Sequence, residues 1–262
     1  MTPDTNGRAA LVLAASKGIG RGCAEELARA GFRVAVCART TDGVERAVDA
    51  LKTLGAEAIG VTADVSDPAQ LESAFAAVDV AFGRLDVLLA NAGGPPPGEF
   101  MALDDDAWRT AYELTLMSAV RSIRLAVPRM RANGYGRILV IGSSSVRQPV
   151  DNITLSNAFR PALVGLVKSL AGELAGDGIT VNMVSPGRID TERVRDLDER
   201  AAQRQGVTYA AARAASVAKI PMGRYGSINE IGALVAFLAS EPAGYITGQT
   251  PLVDGGLVPT LP

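Results

Sequence analysis

The chain has 262 residues, of which 48% are hydrophobic, and its 26 basic and 28 acidic residues give a formal net charge of −2. Charges this evenly balanced exclude the basic surface that nucleic acids require and a polybasic membrane anchor. The length suits one large domain, so we expect a single domain over residues 1–262 that binds small molecules or copies of itself.

The chain contains no histidine. This excludes histidine-based catalytic triads and most zinc sites, so we expect no metal centre. Cys23 and Cys37 lack metal-ligand spacing, which predicts buried core thiols. No stretch of the sequence has the about eighteen apolar residues that a membrane-spanning helix needs, and the first residues lack the pattern of a secretion signal. We therefore expect a cytoplasmic protein.

Short apolar runs alternate along the chain with longer stretches of helical spacing. The runs predict strands over residues 9–16, 33–38, 56–63, 85–93, 137–144, 179–187 and 245–256. The stretches predict helices over residues 18–30, 41–54, 68–82, 104–132, 157–176 and 227–239. This alternation and the continuous hydrophobicity of the strands predict an α/β fold, with a seven-stranded parallel sheet and helices on both faces.

Residues 190–220 interrupt this alternation before the last strand with a charged, alanine-rich segment. The segment is too long for a simple crossover, so we interpret it as a pair of short helices. These helices form either a small lid over a cleft or a solvated helical face. Tyr209 within them is correspondingly a residue that swings over the cleft or a partly buried helix anchor.

Small and polar motifs follow the predicted strands, at the edge where open parallel sheets bind ligands. The first strand leads into a glycine-rich turn and a helix, a pattern in which backbone N–H groups hold a phosphate; its residues are Ser16, Lys17, Gly18, Ile19 and Gly20. Asp64 and Val65 follow the third strand, where a carboxylate can accept a hydrogen bond from an adenine amino group. The other strand-end motifs are Asn91-Ala92-Gly93, Ser185-Pro186-Gly187 and Val253-Asp254-Gly255-Gly256.

Together these motifs resemble the short-chain dehydrogenase/reductase family across essentially the whole chain, and most of all its 3-oxoacyl-carrier-protein reductases. The resemblance implies a single-domain Rossmann fold, an NAD(P)(H) cofactor that Thr191 contacts, and a homo-oligomer, either a tetramer or a dimer. In the family's turn pattern, Thr-Gly-x-x-x-Gly-x-Gly, the first glycine falls on Ala14 and the threonine on Leu13. The methyl group of Ala14 is expected to crowd the approach of the backbone to a pyrophosphate, or to disfavour the positive φ that glycine adopts there.

The choice of cofactor follows from charge. Lys17 in the turn and Arg39 after the second strand both stand where the adenosine ribose is expected, and no acid ends that strand to hold a free 2′-hydroxyl. Two cations suit a 2′-phosphate, so NADP(H) is favoured over NAD(H). The alternative is that both are solvated surface charges.

Members of this family carry a catalytic tetrad of Asn, Ser, Tyr and Lys, so the resemblance assigns four positions. Ser143 matches the serine. Thirteen residues on, Ser156 stands in place of the tyrosine, and four further on Arg160 replaces the lysine. Thr115, seven residues after Trp108, takes the place of the asparagine. The resemblance therefore implies an atypical active site that lacks the Tyr-x-x-x-Lys pair.

This replacement changes the proton chemistry. A tyrosine, whose ordinary pKa is about 10, can be tuned toward neutral by a nearby cation, whereas the hydroxyl of Ser156 is a far weaker acid. Arg160 stays charged and cannot relay protons, but it can bind ribose hydroxyls or a substrate oxyanion. A structural interpretation stays open, in which Ser156 or Asn157 is an N-cap and the helix proper begins at Pro161.

The polar run after the fifth strand, Ser144, Ser145 and Arg147, is a candidate lining of the substrate pocket. The leading hypothesis is an NADP(H)-dependent oxidoreductase that acts on a carbonyl or alcohol of a small or carrier-bound metabolite. Two alternatives remain: an enzyme of the same fold with non-redox activity, such as dehydration, isomerisation or cyclisation, and a catalytically silent, cofactor-binding subunit.

Overall fold

A computed structural model describes residue 5 and residues 7–260; the other positions, at the two ends of the predicted 1–262 domain, lie outside the described residues. The strands are β1 Ala9–Val12, β2 Arg33–Ala38, β3 Ala58–Thr62, β4 Val87–Ala90, β5 Gly136–Ile141, β6 Ile179–Pro186 and β7 Leu252–Val253. The α-helices are α1 Gly18–Arg29, α2 Thr41–Thr53, α3 Pro68–Phe82, α4 Asp105–Ala111, α5 Ser118–Asn133, α6 Thr154–Leu174, α7 Glu192–Gln205, α8 Tyr209–Val217 and α9 Ile228–Ala239.

The seven strands form one parallel sheet in the order β3-β2-β1-β4-β5-β6-β7. Two apolar cores lie on its opposite faces, because successive side chains of each strand point to opposite sides. In β1, for example, Leu11 packs into one core and Val12 into the other, and both are fully buried. The predicted α/β class, the parallel seven-stranded sheet and its two helical faces are confirmed.

The predicted helix over 104–132 is helical throughout but is not uniform. Helices α4 and α5 are joined by a π-helical segment, Tyr112–Met117. Such wide turns insert an extra residue and often occur at functional sites. The described helical stretch therefore contains a local change of pitch around Thr115.

The structural interpretation of Ser156 and Asn157 as N-caps is wrong. Helix α6 begins at Thr154 after Ile153, without a side-chain cap, so both residues lie inside its first turn. The Asn157 side chain instead bonds the backbone N–H and carbonyl of Val150, at 3.2 and 2.8 Å. Pro161 lies inside the helix rather than at its start, so the backbone carbonyl four residues earlier lacks its usual helical donor.

The strand predicted over 245–256 is mostly wrong, because only Leu252 and Val253 have strand geometry. Gly248 has a φ of 69° and Pro251 has no N–H, and both prevent a continuous ladder. The Pro251 carbonyl still accepts from the N–H of Ser185 at 3.0 Å, so the segment follows the edge of the sheet.

Segment 190–220 does contain two short helices, α7 and α8, as predicted. The N-terminal end of α7 lies against the sheet edge that carries the strand-end motifs, because Thr191 lies within 3.7 Å of where a Cβ of Gly18 would stand. Within residue 5 and residues 7–260, no helix is long and apolar enough to span a membrane.

Candidate functional site

The strand order places a crevice at the carboxyl edge of the sheet. Strands β1 and β4 are neighbours, and the connections that leave them run in opposite directions along the sheet. Open α/β sheets bind ligands at such a switch point. The glycine-rich turn follows β1 and Asn91 follows β4, so both border this crevice.

The glycine-rich turn keeps its left-handed backbone conformation in spite of Ala14. Ala14 has a φ of 50° and Gly18 a φ of 59°. Lys17 precedes α1 in an extended conformation without a side-chain cap, so the first N–H groups of the helix are left for another partner. The methyl group of Ala14 therefore does not prevent the positive φ that the sequence put in question.

Asn91 braces this turn from the neighbouring strand. Its side-chain amide donates to the carbonyl oxygens of Leu13 and Ala14, at 3.1 and 3.2 Å. A Cβ at Gly20 would lie 2.8 Å from the same amide nitrogen and would also collide with the Ala14 carbonyl, so only glycine fits there. Ala92 is half-buried and Gly93 is exposed beside the crevice.

Charged groups surround the side of the crevice where adenosine is expected. The Lys17 ammonium forms an ion pair with Glu192 at the start of α7, which holds the pKa of that carboxyl below its usual range. Arg39 is exposed. The Asp64 carboxylate accepts from the hydroxyl and the N–H of Ser66, at 2.6 and 2.9 Å. Both side chains of this ion pair are largely exposed, at 72% for Lys17 and 64% for Glu192, so it is a surface contact between the turn and α7.

The four residues at the predicted catalytic positions come from three elements. Ser143 follows β5 and is half-buried, and its hydroxyl accepts from the N–H of Ser145 at 3.1 Å. Ser156 and Arg160 lie on α6, and each is only 7% exposed. Thr115 lies in the π-helical segment and is 2% exposed. None of these hydroxyls has the ordinary acidity of a phenol.

Arg160 is buried without a carboxylate partner among the described residues. Its guanidinium donates to the backbone carbonyl of Ile141 at the end of β5. Burial, and to a smaller extent the positive charge of Arg193, lower its pKa to about 10. At neutral pH the group is still a cation, so the structure holds an unneutralised positive charge beneath the crevice.

A small cavity adjoins this guanidinium, with room for little more than one water molecule. Its polar lining consists of Asn91, Thr115, Ser118, Ser122 and Arg160. The Thr115 hydroxyl has no hydrogen-bond partner within the described chain. A buried polar atom of this kind marks a place for water or for a ligand atom.

Ser143 and Ser156 do not line this cavity, and neither does the rest of the polar run after β5. Ser144 and Ser145 are buried in a short 3₁₀ turn, whereas Arg147 is exposed. Position alone does not establish a substrate-pocket role for these three residues.

The remaining predicted cofactor residues end β6 and precede α7. Pro186 is buried, and a Cβ at Gly187 would lie 2.6 Å from that of Asp254, so the segments that follow β6 and β7 approach too closely for any residue but glycine at position 187. The Thr191 hydroxyl caps α7 by accepting from the Val194 N–H at 3.4 Å. Thr191 thus places the start of α7 at the ligand edge.

The thiols of Cys23 and Cys37 are fully buried, as predicted, and burial raises the pKa of each to about 12. They are core groups. The described residues contain no cluster of three or more Cys, Asp or Glu side chains with the geometry of a metal site. Tyr209 begins α8 at the surface, where its hydroxyl accepts from Arg213 at 3.4 Å.

A model of the protein family described as enoyl-(acyl carrier protein) reductase matches residues 13–258. Its span includes the glycine-rich turn, Asn91, Ser143 and the end of β6. The chain belongs to the short-chain dehydrogenase/reductase family.

Curated relatives in this family cover nearly the whole chain. The 3-oxoacyl-[acyl-carrier-protein] reductase FabG of Escherichia coli (strain K12) is 39% identical over 253 residues, which is 96% of this chain and 97% of that protein. Solved short-chain dehydrogenase/reductase structures share the fold. An actinorhodin polyketide ketoreductase variant with NADPH has a TM-score of 0.94 and 35% identity, and covers 97% of this chain and 98% of its own.

The L-sorbose reductase of Gluconobacter frateurii, solved with NADPH and L-sorbose, also has a TM-score of 0.94, at 32% identity over 100% of both chains. All three named proteins of this short-chain dehydrogenase/reductase family are reductases. The family and the Rossmann-like fold that the sequence resembled are thus confirmed.

Two residues at the ligand edge, Glu192 and Arg193, were not predicted from the sequence. Both belong to a run of alternating charges, TERVRDLDER, that has the composition of a solvated helix surface. Only the folded position of the α7 N-terminus shows that they face the ligand edge. Their place two residues or fewer after Thr191 is the one signal that the sequence offered.

Proposed function

We propose that the protein is an NADP(H)-dependent oxidoreductase that acts on a carbonyl or alcohol of a small or carrier-bound metabolite through an atypical active site. The main support is the glycine-rich turn, which keeps φ of 50° at Ala14 and 59° at Gly18 and leaves the N-terminus of α1 uncapped. The reductases named above, two of them solved with NADPH, support the same activity.

The residues at the crevice fit a phosphorylated dinucleotide. The cradle at Gly20 that a Cβ would fill permits close approach of a pyrophosphate, which the N–H groups of residues 18–20 would hold. Lys17 and Arg39 would bind the 2′-phosphate, and Asp64 with Val65 would hold the adenine. The opposite end of the cofactor would lie against residues 91–93, Pro186, Gly187 and Thr191. When bound, such a cofactor supplies or accepts a hydride.

The chain's own groups would position the substrate oxygen. Ser143 would donate a hydrogen bond to it, and the charge of Arg160 would stabilise negative charge that develops there. Because Ser156 and Thr115 are weak acids, the proton would come from a water molecule rather than from a side chain. This division of roles defines what is atypical about the site.

A second candidate is a catalytically silent, cofactor-binding subunit. It is favoured by one observation. Three of the four predicted catalytic positions hold aliphatic hydroxyls that are very weak acids, and the fourth is Arg160; the three are Thr115, Ser143 and Ser156. Such a subunit would bind NADPH without turnover. A non-redox enzyme of the same fold makes the same negative prediction for ketones.

A screen of ketones with NADPH separates these functions. The wild type is compared with Ser156→Tyr/Arg160→Lys, and with Ser156→Phe/Arg160→Lys as a control of equal bulk without the phenol. We expect the wild type to oxidise NADPH with at least one ketone, and the tyrosine variant to do so at least about 100-fold faster than the phenylalanine variant. An inert wild type beside an active tyrosine variant would show that redox chemistry has been lost.

We also propose that the protein is a homo-oligomer, a dimer or tetramer. Large apolar side chains lie on its surface, with Met101 90% and Phe100 63% exposed near α4. Patches of this kind commonly mark association. Light scattering is expected to give a mass of two or four chains, and a monomer across concentrations would contradict the proposal.

A further inference from the structure

The N-terminal turn of α7 places Arg193 across the crevice. Its guanidinium donates to the carbonyl oxygens of Gly94 and Pro95, at 3.2 and 3.0 Å. These residues belong to the loop after β4. A Cβ at Gly94 would lie 2.5 Å from the Arg193 Nε, so this contact depends on glycine at that position.

Both partners of Arg193 are neutral carbonyls, and no carboxylate in the described chain lies within ion-pair distance of it. Neighbouring acids of the lid are engaged with other cations. Glu192 pairs with Lys17, Asp190 pairs with Arg195 and Arg213, and Asp198 pairs with Arg188. Asp196 acts on Arg193 only from a longer distance. Asp190, Glu192 and Asp198 are thus engaged elsewhere, and the guanidinium of Arg193 is free for an anion.

Arg160 is a second guanidinium in the same condition. It has five N–H donors, and in the described structure they meet one backbone carbonyl, that of Ile141. The group is 7% exposed. Keeping a buried cation without a counter-ion is costly, because the charge loses its hydration and gains only the Ile141 carbonyl in exchange.

The two guanidiniums lie near one another at the crevice. Ala92 lines the cavity beside Arg160, and Gly94, which accepts from Arg193, follows two residues later. Two residues of chain span at most about 7 Å. The positive charge of Arg193 also helps to lower the pKa of Arg160. Thr191 and Glu192 of the same turn of α7 face the glycine-rich turn, where cofactor phosphates are expected, whereas Arg193 contacts the loop after β4.

We propose that the crevice between Arg160 and Arg193 binds the carboxylate of an anionic substrate, a short oxo acid or hydroxy acid. Arginine suits this role, because its planar fork of donors matches the two oxygens of a carboxylate. On binding, Arg193 exchanges the carbonyls of Gly94 and Pro95 for the carboxylate. The reaction assumed here rests on the proposed function, but binding of a carboxylate does not.

Binding is tested first with acids that cannot be reduced. Butyrate and its neutral analogue butyramide are titrated by calorimetry, with and without saturating NADPH. We expect butyrate to bind at least about tenfold more tightly than butyramide, the ratio expected of one charge-assisted pair. Equal affinities, or no binding of butyrate in either condition, would overturn the inference.

Arg193→Gln removes the charge and keeps hydrogen-bonding capacity, and it is expected to weaken butyrate binding about tenfold. The matched control is Arg195→Gln on the same helix, whose partner is Asp190 at 3.1 Å; it is expected to change the affinity less than about twofold. Arg193→Lys is expected to restore part of the affinity. An Arg193→Gln protein with unchanged butyrate affinity would contradict the assignment.

Turnover then separates this inference from the proposed function. Acetoacetate and its methyl ester are compared as substrates with NADPH. Faster reduction of the acid supports both ideas, whereas equal or faster reduction of the ester leaves the oxidoreductase intact and removes carboxylate recognition. If butyrate binds through Arg193 but neither compound is reduced, carboxylate binding stands and the redox function fails.

Discussion

Ala14 adopts a backbone conformation that glycine usually supplies. Its φ of 50° places the methyl group near the following carbonyl, at a cost of about 1–2 kcal/mol relative to a relaxed residue. Strain of this kind persists only where surrounding contacts enforce it, and here Asn91 holds the Ala14 carbonyl. The strained residue lies at the turn that would hold a pyrophosphate.

Ala14→Gly is therefore expected to stabilise the protein by about 0.5–1 kcal/mol, since relief of strain exceeds the added entropy of the unfolded chain. Guanidinium chloride unfolding measures the change. The control is Ala15→Gly, a fully buried neighbour outside the positive-φ region, which is expected to destabilise. Stabilisation by both variants, or by neither, would show that Ala14 is not strained.

Arg160 and Thr115 show how residues at two of the predicted catalytic positions constrain their surroundings. An arginine at this position brings a permanent charge and five donors into a space with few acceptors. The sequence identified both positions through their spacing from Ser143 and Trp108. It did not indicate that they share a cavity, because that depends on how α6 packs against the π-helical segment.

At the scale of elements, the first turn of α7 connects both sides of the crevice. Glu192 contacts the glycine-rich turn through Lys17, and Arg193 contacts the loop after β4. Two adjacent residues thus hold the start of α7 at two places. For Lys17 to bind a 2′-phosphate, its ion pair with Glu192 has to open.

Glu192→Gln is therefore expected to strengthen NADPH binding about threefold at low salt, in the range for removal of one exposed competing charge. NADH lacks the 2′-phosphate, so its affinity is expected to stay unchanged. Calorimetric titration with both cofactors measures the difference, and Glu199→Gln, an exposed acid of the same helix, is the control. Equal gains for NADH and NADPH would mean that Glu192 does not compete at Lys17.

Element boundaries were predictable where apolar periodicity ended at a clear turn, as in β2 and α3. They failed where local signals misled. Pro161 and the polar pair Ser156 and Asn157 indicate a helix start, yet α6 begins earlier because Leu155 and Leu163 are buried in the core. Tertiary packing outweighed the local preference of proline.

At the scale of the whole molecule, the seven-stranded parallel sheet followed from sequence, because parallel strands are buried on both faces and carry nearly continuous apolar runs. The candidate site was only partly predictable. The motifs that follow the strands lie at one edge of any parallel sheet, so it was foreseeable that they would lie near one another. The approach of α7 to that edge was not foreseeable, since it depends on pairs such as Lys17 with Glu192 that are 175 residues apart.

The central claim is that this edge binds a phosphorylated nicotinamide dinucleotide. Calorimetry with NADPH and NADH, on wild type and on Lys17→Ala/Arg39→Ala, tests it most directly. We predict that the wild type binds NADPH at least about tenfold more tightly than NADH, and that the double variant loses this preference. Folded wild-type protein that gives no heat with either cofactor would contradict the account.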